Sequence, residues 1–326
     1  MKRKHSKDSS TADVAICIAG AHRSGTSMLT RLLHTCGLYL GRESQLMPAQ
    51  ADNPDGFWEH LGFVALNEEL LNELGGAWDL PPKAGEHFKH ARFAPLRMKA
   101  QLLIEGFDSA ETWGWKDPRN CLTLPFWQRL LPSLKTLIIV RNPLEVAYSM
   151  RERNGTSCSF GLRLWEIYNR RLIQTAAKQD RFVTHYDSFF EDAELELRRI
   201  ARFVGLPRAK IANAAALVAT RRRHIHFTMD QLMDARVSAE VIELYRALSA
   251  EAGQGIKVST RKGRKGKITK ASQITKSRES DLLPGSVSRL KAFVPEQSAE
   301  IQQLRERLAE AEARHKTETE QVREGY

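Results

Sequence analysis

Cysteine is scarce in this chain. It has four, Cys17, Cys36, Cys121 and Cys158, and no two form a C-x-x-C pair. That spacing excludes the common thiolate zinc and redox motifs. Cys17 and Cys36 fall in apolar patterns, which predicts buried free thiols and a reduced, cytoplasmic setting. Long hydrophobic runs are also lacking. None approaches the ~18 residues of a membrane-spanning helix. The basic N-terminus leads into an apolar stretch too short for a signal peptide, and that stretch runs straight into a glycine-bounded loop. An excess of one charge is present, but mostly at the ends. Of the net +11, residues 1–8 carry four Lys/Arg against one Asp, and residues 251–326 carry 16 Lys/Arg against 11 Asp/Glu. The body between them is only mildly basic.

A further absence lies in the loop itself. Gly20-Ala21-His22-Arg23-Ser24-Gly25-Thr26-Ser27 follows the apolar run Val14 to Ala19 and precedes the periodic segment Met28 to Cys36. Strand, glycine-bounded loop and helix together make a phosphate cradle, in which backbone N–H groups and the positive helix end face an anion. The spacing fits G-x-x-x-x-G-K-[ST], except that Thr26 stands where the lysine belongs. Without that lysine, and with Arg23 inside the loop, the cradle suits an anion other than a magnesium triphosphate. The clearest strand, Lys135 to Val140, ends in Arg141 rather than an acidic metal partner. The strand ending at Trp115 leads to Lys116. Ligands of open α/β sheets bind beyond the carboxyl ends of strands, so three cations converge there.

Along the chain, residues 1–12 read as a disordered leader and 13–253 as one α/β domain. Strands alternating with helices predict a parallel sheet covered on both faces. Helices are expected from Ser27 to Cys36, Leu61 to Leu74, about 96–105, from Pro143 onward, Phe160 to Gln179, and Glu191 to Val204. Asn142 and Pro143 suit the cap and first residue of the fourth. Residues 254–295 read as a flexible basic linker, and 296–326 as a charged helix with a brief heptad seam at Ile301, Leu304, Leu308 and Ala311.

GAHRSGTSML, WKDPR and LIIVRNPLEVAYSM together resemble the sulfotransferases that use 3′-phosphoadenosine 5′-phosphosulfate (PAPS), in the style of the bacterial, carbohydrate and tyrosylprotein branches. The resemblance spans residues 14–206. It implies a P-loop-type α/β fold and PAPS as co-substrate without a metal. The loop amides with Ser24, Gly25, Thr26 and Ser27 would hold the 5′-phosphosulfate. Arg141 and Ser149, eight residues apart, would hold the 3′-phosphate. Arg23 and Lys116 would stabilise charge on the leaving phosphate. It further implies an acceptor hydroxyl, on a carbohydrate or glycolipid, and a His or Glu base. Glu59, closing Gly56-Phe57-Trp58-Glu59, is the first choice, because bulky aromatics there would raise its pKa. Glu43, twenty residues after Arg23, and His60 are the alternatives.

Structural readings stand beside these. Glu59 could cap the helix after it, Lys116-Asp117 could be a surface ion pair, and Arg141 a solvated strand-end charge. Most of the aromatics at 57, 58, 113, 115, 126 and 127 read as core. The run Arg221-Arg222-Arg223-His224-Ile225-His226 could close over a nucleotide or end a helix, and its histidines lack companions for a metal. A P-loop kinase or NTPase and a non-enzymatic anion-binding scaffold are the rival functions. The basic tail suggests weak attraction to a membrane surface and no specific nucleic-acid binding, and the terminal helix suggests a partner helix or oligomer.

Overall fold

The computed structural model describes residues 14–50, 53, 56–85, 88–107, 110–218 and 225–254. The leader, the linker beyond residue 254, the terminal helix and Arg221-Arg222-Arg223-His224 lie outside them.

Four short strands form one parallel sheet in the order β2-β1-β3-β4. β1 is Val14–Ala19, β2 Thr112–Lys116, β3 Lys135–Val140 and β4 Arg181–His185. The two central strands are near-continuous apolar runs, as strands covered on both faces must be. Register brings Ile18 beside Lys116, Ala19 beside Ile138 and Val140 beside His185. All four carboxyl ends therefore open on one edge. The chain leaves β1 toward β2 on one side, then crosses back to β3 on the other. The crevice between the ends of β1 and β3 is thus the topological switch point, where ligands of such sheets bind.

Ten helices cover the sheet among the described residues: α1 Thr26–Thr35, α2 Leu61–Glu73, α3 Ala94–Glu105, α4 Asn120–Leu130, α5 Pro143–Asn154, α6 Cys158–Thr175, α7 Ser188–Val204, α8 Ile211–Ala215, α9 Met229–Asp234 and α10 Ala239–Glu251. None is long and apolar enough to cross a membrane. On one face Ile16, Ile18, Leu137 and Ile139 pack against Leu29, Leu32 and Leu33 of α1, Leu197, Ile200 and Val204 of α7, and Ile211 of α8. α4 packs on β1 and α10 on β3 and β4, and α6 packs against both of these helices. An aromatic cluster joins α2, β2 and α4. Phe63 stacks on Trp115 at 4.5 Å between ring centres and leans on Trp127 at 5.0 Å. Phe63 is fully buried, so truncation to Ala costs about 3–5 kcal/mol. Trp113, Trp115, Phe126 and Trp127 are core, as expected.

Four helices, α4, α8, α9 and α10, are absent from the pattern read along the chain, and two others differ from it in their bounds. α6 starts at Cys158 because Ser157 Oγ accepts the Phe160 N–H at 3.2 Å, and it ends at Thr175, leaving a 3₁₀ turn at Lys178–Asp180. α7 starts at Ser188, three residues before the expected Glu191, and is kinked at Asp192.

Candidate functional site

The loop after β1 is shaped by two left-handed residues. Gly25 has φ +95° and Arg23 φ +66°. A Cβ on Gly25 would stand 2.5 Å from the ring of Tyr186, so only glycine fits. Gly25 is also the N-cap of α1 and supplies no side-chain acceptor. The first helical N–H groups, with no intrahelical partner by construction, therefore face out of the helix end with its partial positive charge. Ser24 and Thr26 are buried, and Ser24 Oγ has no partner among the described residues.

The loop after β3 is pinned to this one. Asn142 Oδ1 accepts the Leu144 N–H at 2.9 Å, and Pro143 takes the first helical position of α5. Arg23 Nε donates to Ser149 Oγ at 3.0 Å. Arg141 Nη1 donates to the Arg23 carbonyl at 3.2 Å, and its Nε donates to Glu145 Oε2 at 2.7 Å. Its guanidinium also lies 4.3 Å from the centre of the Tyr186 ring, a cation–π arrangement. Arg141 is therefore an ordered cation rather than a solvated strand-end charge.

On the opposite side, β2 delivers Lys116. The side chain is 1% exposed, and Nζ donates to Ser27 Oγ at 3.0 Å and to Glu59 Oε1. The surface-pair reading of Lys116-Asp117 is corrected: both residues are buried and each pairs elsewhere. Asp117 accepts from Asn67 Nδ2 at 2.9 Å and from Arg119 Nη1 at 3.1 Å. Burial pushes the Lys116 ammonium below the ordinary lysine value, and the Glu59 carboxylate beside it pulls back upward. Burial likewise pushes the Glu59 carboxyl up, against the pull of Lys116. Glu59 Oε2 is buried and has no partner among the described residues.

These groups border one cavity of about 480 Å³, a size suited to a nucleotide-sized ligand. Arg23, Gly25, Thr26, Ser27, Glu59, Lys116, Arg141 and Ser149 all line it. Glu43 and His60 do not. Glu43 stands exposed on a 3₁₀ turn at Glu43–Gln45. His60 is the N-cap of α2, its Nδ1 accepting the Gly62 N–H at 3.1 Å. The helix-capping role weighed for Glu59 thus belongs to its neighbour. Trp58, directly before Glu59, adopts φ +64°.

Some lining residues were not foreseen. Tyr186 directly follows β4, and that position at a strand end was the available signal. His22 lies inside the loop, with its ring 4.9 Å from that of Trp78 and Nε2 3.4 Å from Tyr168 Oη. Burial, reinforced by Arg119, Lys116, Arg153 and Arg23, lowers its pKa to about 3, so it is neutral at ordinary pH. Ile225, which belongs to the run read as closing over a nucleotide or ending a helix, lines the cavity too. His226 reaches Glu145 Oε1 at 3.4 Å and Asp187 Oδ2 at 3.7 Å.

Comparison with known proteins decides the family. The model described as the sulfotransferase family matches residues 15–210, more than half of the chain. The chain belongs to the sulfotransferase family. It is thus an enzyme of sulfuryl transfer, from a family that draws its sulfuryl group from PAPS. No curated protein matches its sequence. Among solved structures, the enzyme is similar to the sulfotransferase STF1 from Mycobacterium tuberculosis H37Rv at 17% identity, with TM-score 0.46, over 72% of this chain and 77% of that one. It is similar to the sulfotransferase domain of the Synechococcus PCC 7002 olefin synthase at 16% identity, with TM-score 0.46, over 76% and 98%. For the mouse sulfotransferase SULT7A1 complexed with PAP the values are 14%, 0.36, 73% and 85%.

Proposed function

We propose that the enzyme transfers a sulfuryl group from PAPS to an acceptor hydroxyl on a carbohydrate or glycolipid, with Glu59 as general base. The observation that carries this reading is the pairing of two anion sites in one cavity. One is the α1 N-terminus with Thr26, Ser27 and Lys116, and the other is Arg141 with Ser149, joined to the first through Arg23, whose Nε donates to Ser149 Oγ. A ligand with phosphate groups at both ends of a nucleoside suits that pair. The residues fit the co-substrate in a second respect, because the buried Ser24 Oγ lacks a partner among the described residues at the floor of the loop.

In this reading the α1 amides, Ser24, Gly25, Thr26 and Ser27 hold the 5′-phosphosulfate, and Arg141 and Ser149 hold the 3′-phosphate. PAPS supplies an activated SO₃ group. Glu59 Oε2 takes the proton of the acceptor hydroxyl, while Oε1 stays on Lys116 Nζ. Burial raises the carboxyl above its ordinary value against the pull of Lys116, the direction that makes it a stronger proton acceptor. Lys116 and Arg23 stabilise the negative charge that develops on the departing phosphate, in a site where burial makes charge count for more. Phe57 lines the cavity beside Glu59, and an apolar ring there suits the face of a sugar.

The acceptor class is tested with isotope-labelled PAPS and a panel of oligosaccharides, glycolipids, tyrosyl peptides and simple phenols. Label in the carbohydrate-bearing acceptors supports the proposal. Label confined to peptides or phenols overturns it.

A further inference from the structure

Glu145 belongs to none of the roles assigned so far. It sits one helical turn beyond Arg141 on α5, and its side chain is 1% exposed. Its two oxygens have separate partners. Oε2 accepts from Arg141 Nε at 2.7 Å. Oε1 accepts the Phe227 N–H at 3.0 Å and faces His226 Nδ1 at 3.4 Å. Asn142 Nδ2, also on the β3–α5 junction, donates to the Phe227 carbonyl at 2.9 Å. Both polar groups of the Phe227 backbone are thus held from the junction that carries Arg141.

A carboxylate this close to an anion-binding arginine lowers the local positive potential, so attraction alone does not account for it. Geometry does. A guanidinium has five N–H donors in a rigid fork. Glu145 engages Nε, the Arg23 carbonyl engages one Nη1 hydrogen, and the Tyr186 ring fixes the plane. The orientation of the other three N–H groups is thereby fixed. Without Glu145, the side chain regains rotamers whose freedom must be lost again when a ligand binds.

We propose that Glu145 is a positioning residue. Held by the Phe227 backbone on one oxygen, it sets the Arg141 guanidinium with the other and so makes the enzyme selective for a nucleotide bearing a 3′-phosphate. This rests on the reading that Arg141 binds that phosphate.

The test is calorimetric binding of adenosine 3′,5′-bisphosphate and adenosine 5′-phosphate to the full-length chain at fixed salt. The wild type prefers the bisphosphate. Glu145→Gln keeps the size and an acceptor for Phe227 but loses the charge on Arg141. It should lower bisphosphate affinity about tenfold and leave 5′-phosphate affinity within about twofold. Retained 5′-phosphate binding also reports that the variant is folded. If Glu145→Gln does not fold, Glu145→Asp carries the same test: it keeps the charge, withdraws it by one methylene and loses selectivity in the same direction. An equal loss for both ligands, or an unchanged ratio, overturns the positioning role while the wild-type preference still stands. A wild type indifferent to the 3′-phosphate overturns the underlying reading, and this inference with it.

Discussion

Arg23 Nε donates to Ser149 Oγ at 3.0 Å across 126 residues of sequence, and Arg141 returns a bond to the Arg23 carbonyl at 3.2 Å. These two contacts weld the loop after β1 to the helix after β3. They also hold Arg23 in its left-handed conformation, which costs about 1–3 kcal/mol for a non-glycine residue and persists only when neighbours enforce it. The two anion sites proposed here are therefore one mechanical unit.

Ser149→Ala tests that unit. It removes the acceptor for a charged donor and, in the proposed role, a ligand of the 3′-phosphate. We expect affinity for adenosine 3′,5′-bisphosphate to fall about tenfold, measured by calorimetry. Unchanged affinity would argue against both roles.

Glu59 and Lys116 form a buried pair. Removing either partner strands the other charge, so Glu59→Gln and Lys116→Met should each destabilise the fold by about 3–5 kcal/mol in urea unfolding. The double variant should cost clearly less than the sum, because it leaves no stranded charge. In turnover, Glu59→Gln should lose ~10²–10⁴-fold as a base, whereas Glu43→Gln and His60→Gln should keep the wild-type rate. Equal losses from the last two would remove Glu59 from its role.

Gly25 and Gly155 separate strain from site. Both have positive φ, +95° and +68°, and Ala at either is strained by roughly 1 kcal/mol. A Cβ at Gly155 meets nothing within 4 Å, but one at Gly25 runs into Tyr186. Gly155→Ala should bind nucleotide normally at slightly lower stability. Gly25→Ala should lose binding outright. Matching behaviour of the two would mean that the Gly25–Tyr186 approach does not shape the site.

His22 gives the fold an acid sensitivity. Its pKa in the folded protein is about 3 against an ordinary 6.5. Between those values the unfolded chain binds the extra proton and the folded one does not. Stability from this group is complete above about pH 6.5 and declines as pH falls toward 3. His22→Gln should flatten that decline, seen as a smaller change in urea midpoint between pH 7 and pH 5 than in the wild type. An identical change would show that other groups set the acid limb.

The strands and the helices after β1, β3 and β4 were legible because their determinants are local, whereas α4, which connects β2 to β3 and has Pro125 inside it, was not read. β1 and β3 are short apolar runs closed by a glycine loop and by Arg-Asn-Pro, and Asn142 and Pro143 start α5 as read. Glu59 was legible as a carboxylate among aromatics. Its bond to Lys116 spans 57 positions and follows from β2 pairing with β1, which no local pattern encodes. Tyr186 was missed for the same reason: its ring matters only once β4 lies beside β3. Glu43 shows the opposite limit. Its distance from Arg23 along the chain resembles that of a base, but chain spacing does not tell which way a side chain faces, and Glu43 faces solvent. α7 began early because Asp192 breaks its geometry without ending it.

The binding of PAPS at Arg141 is tested most directly by calorimetry of adenosine 3′,5′-bisphosphate without magnesium, compared with ADP and ATP in its presence. Selective binding of the bisphosphate, lost in Arg141→Ala, is the expected result. Preference for a magnesium nucleotide, or bisphosphate binding indifferent to Arg141, would contradict it.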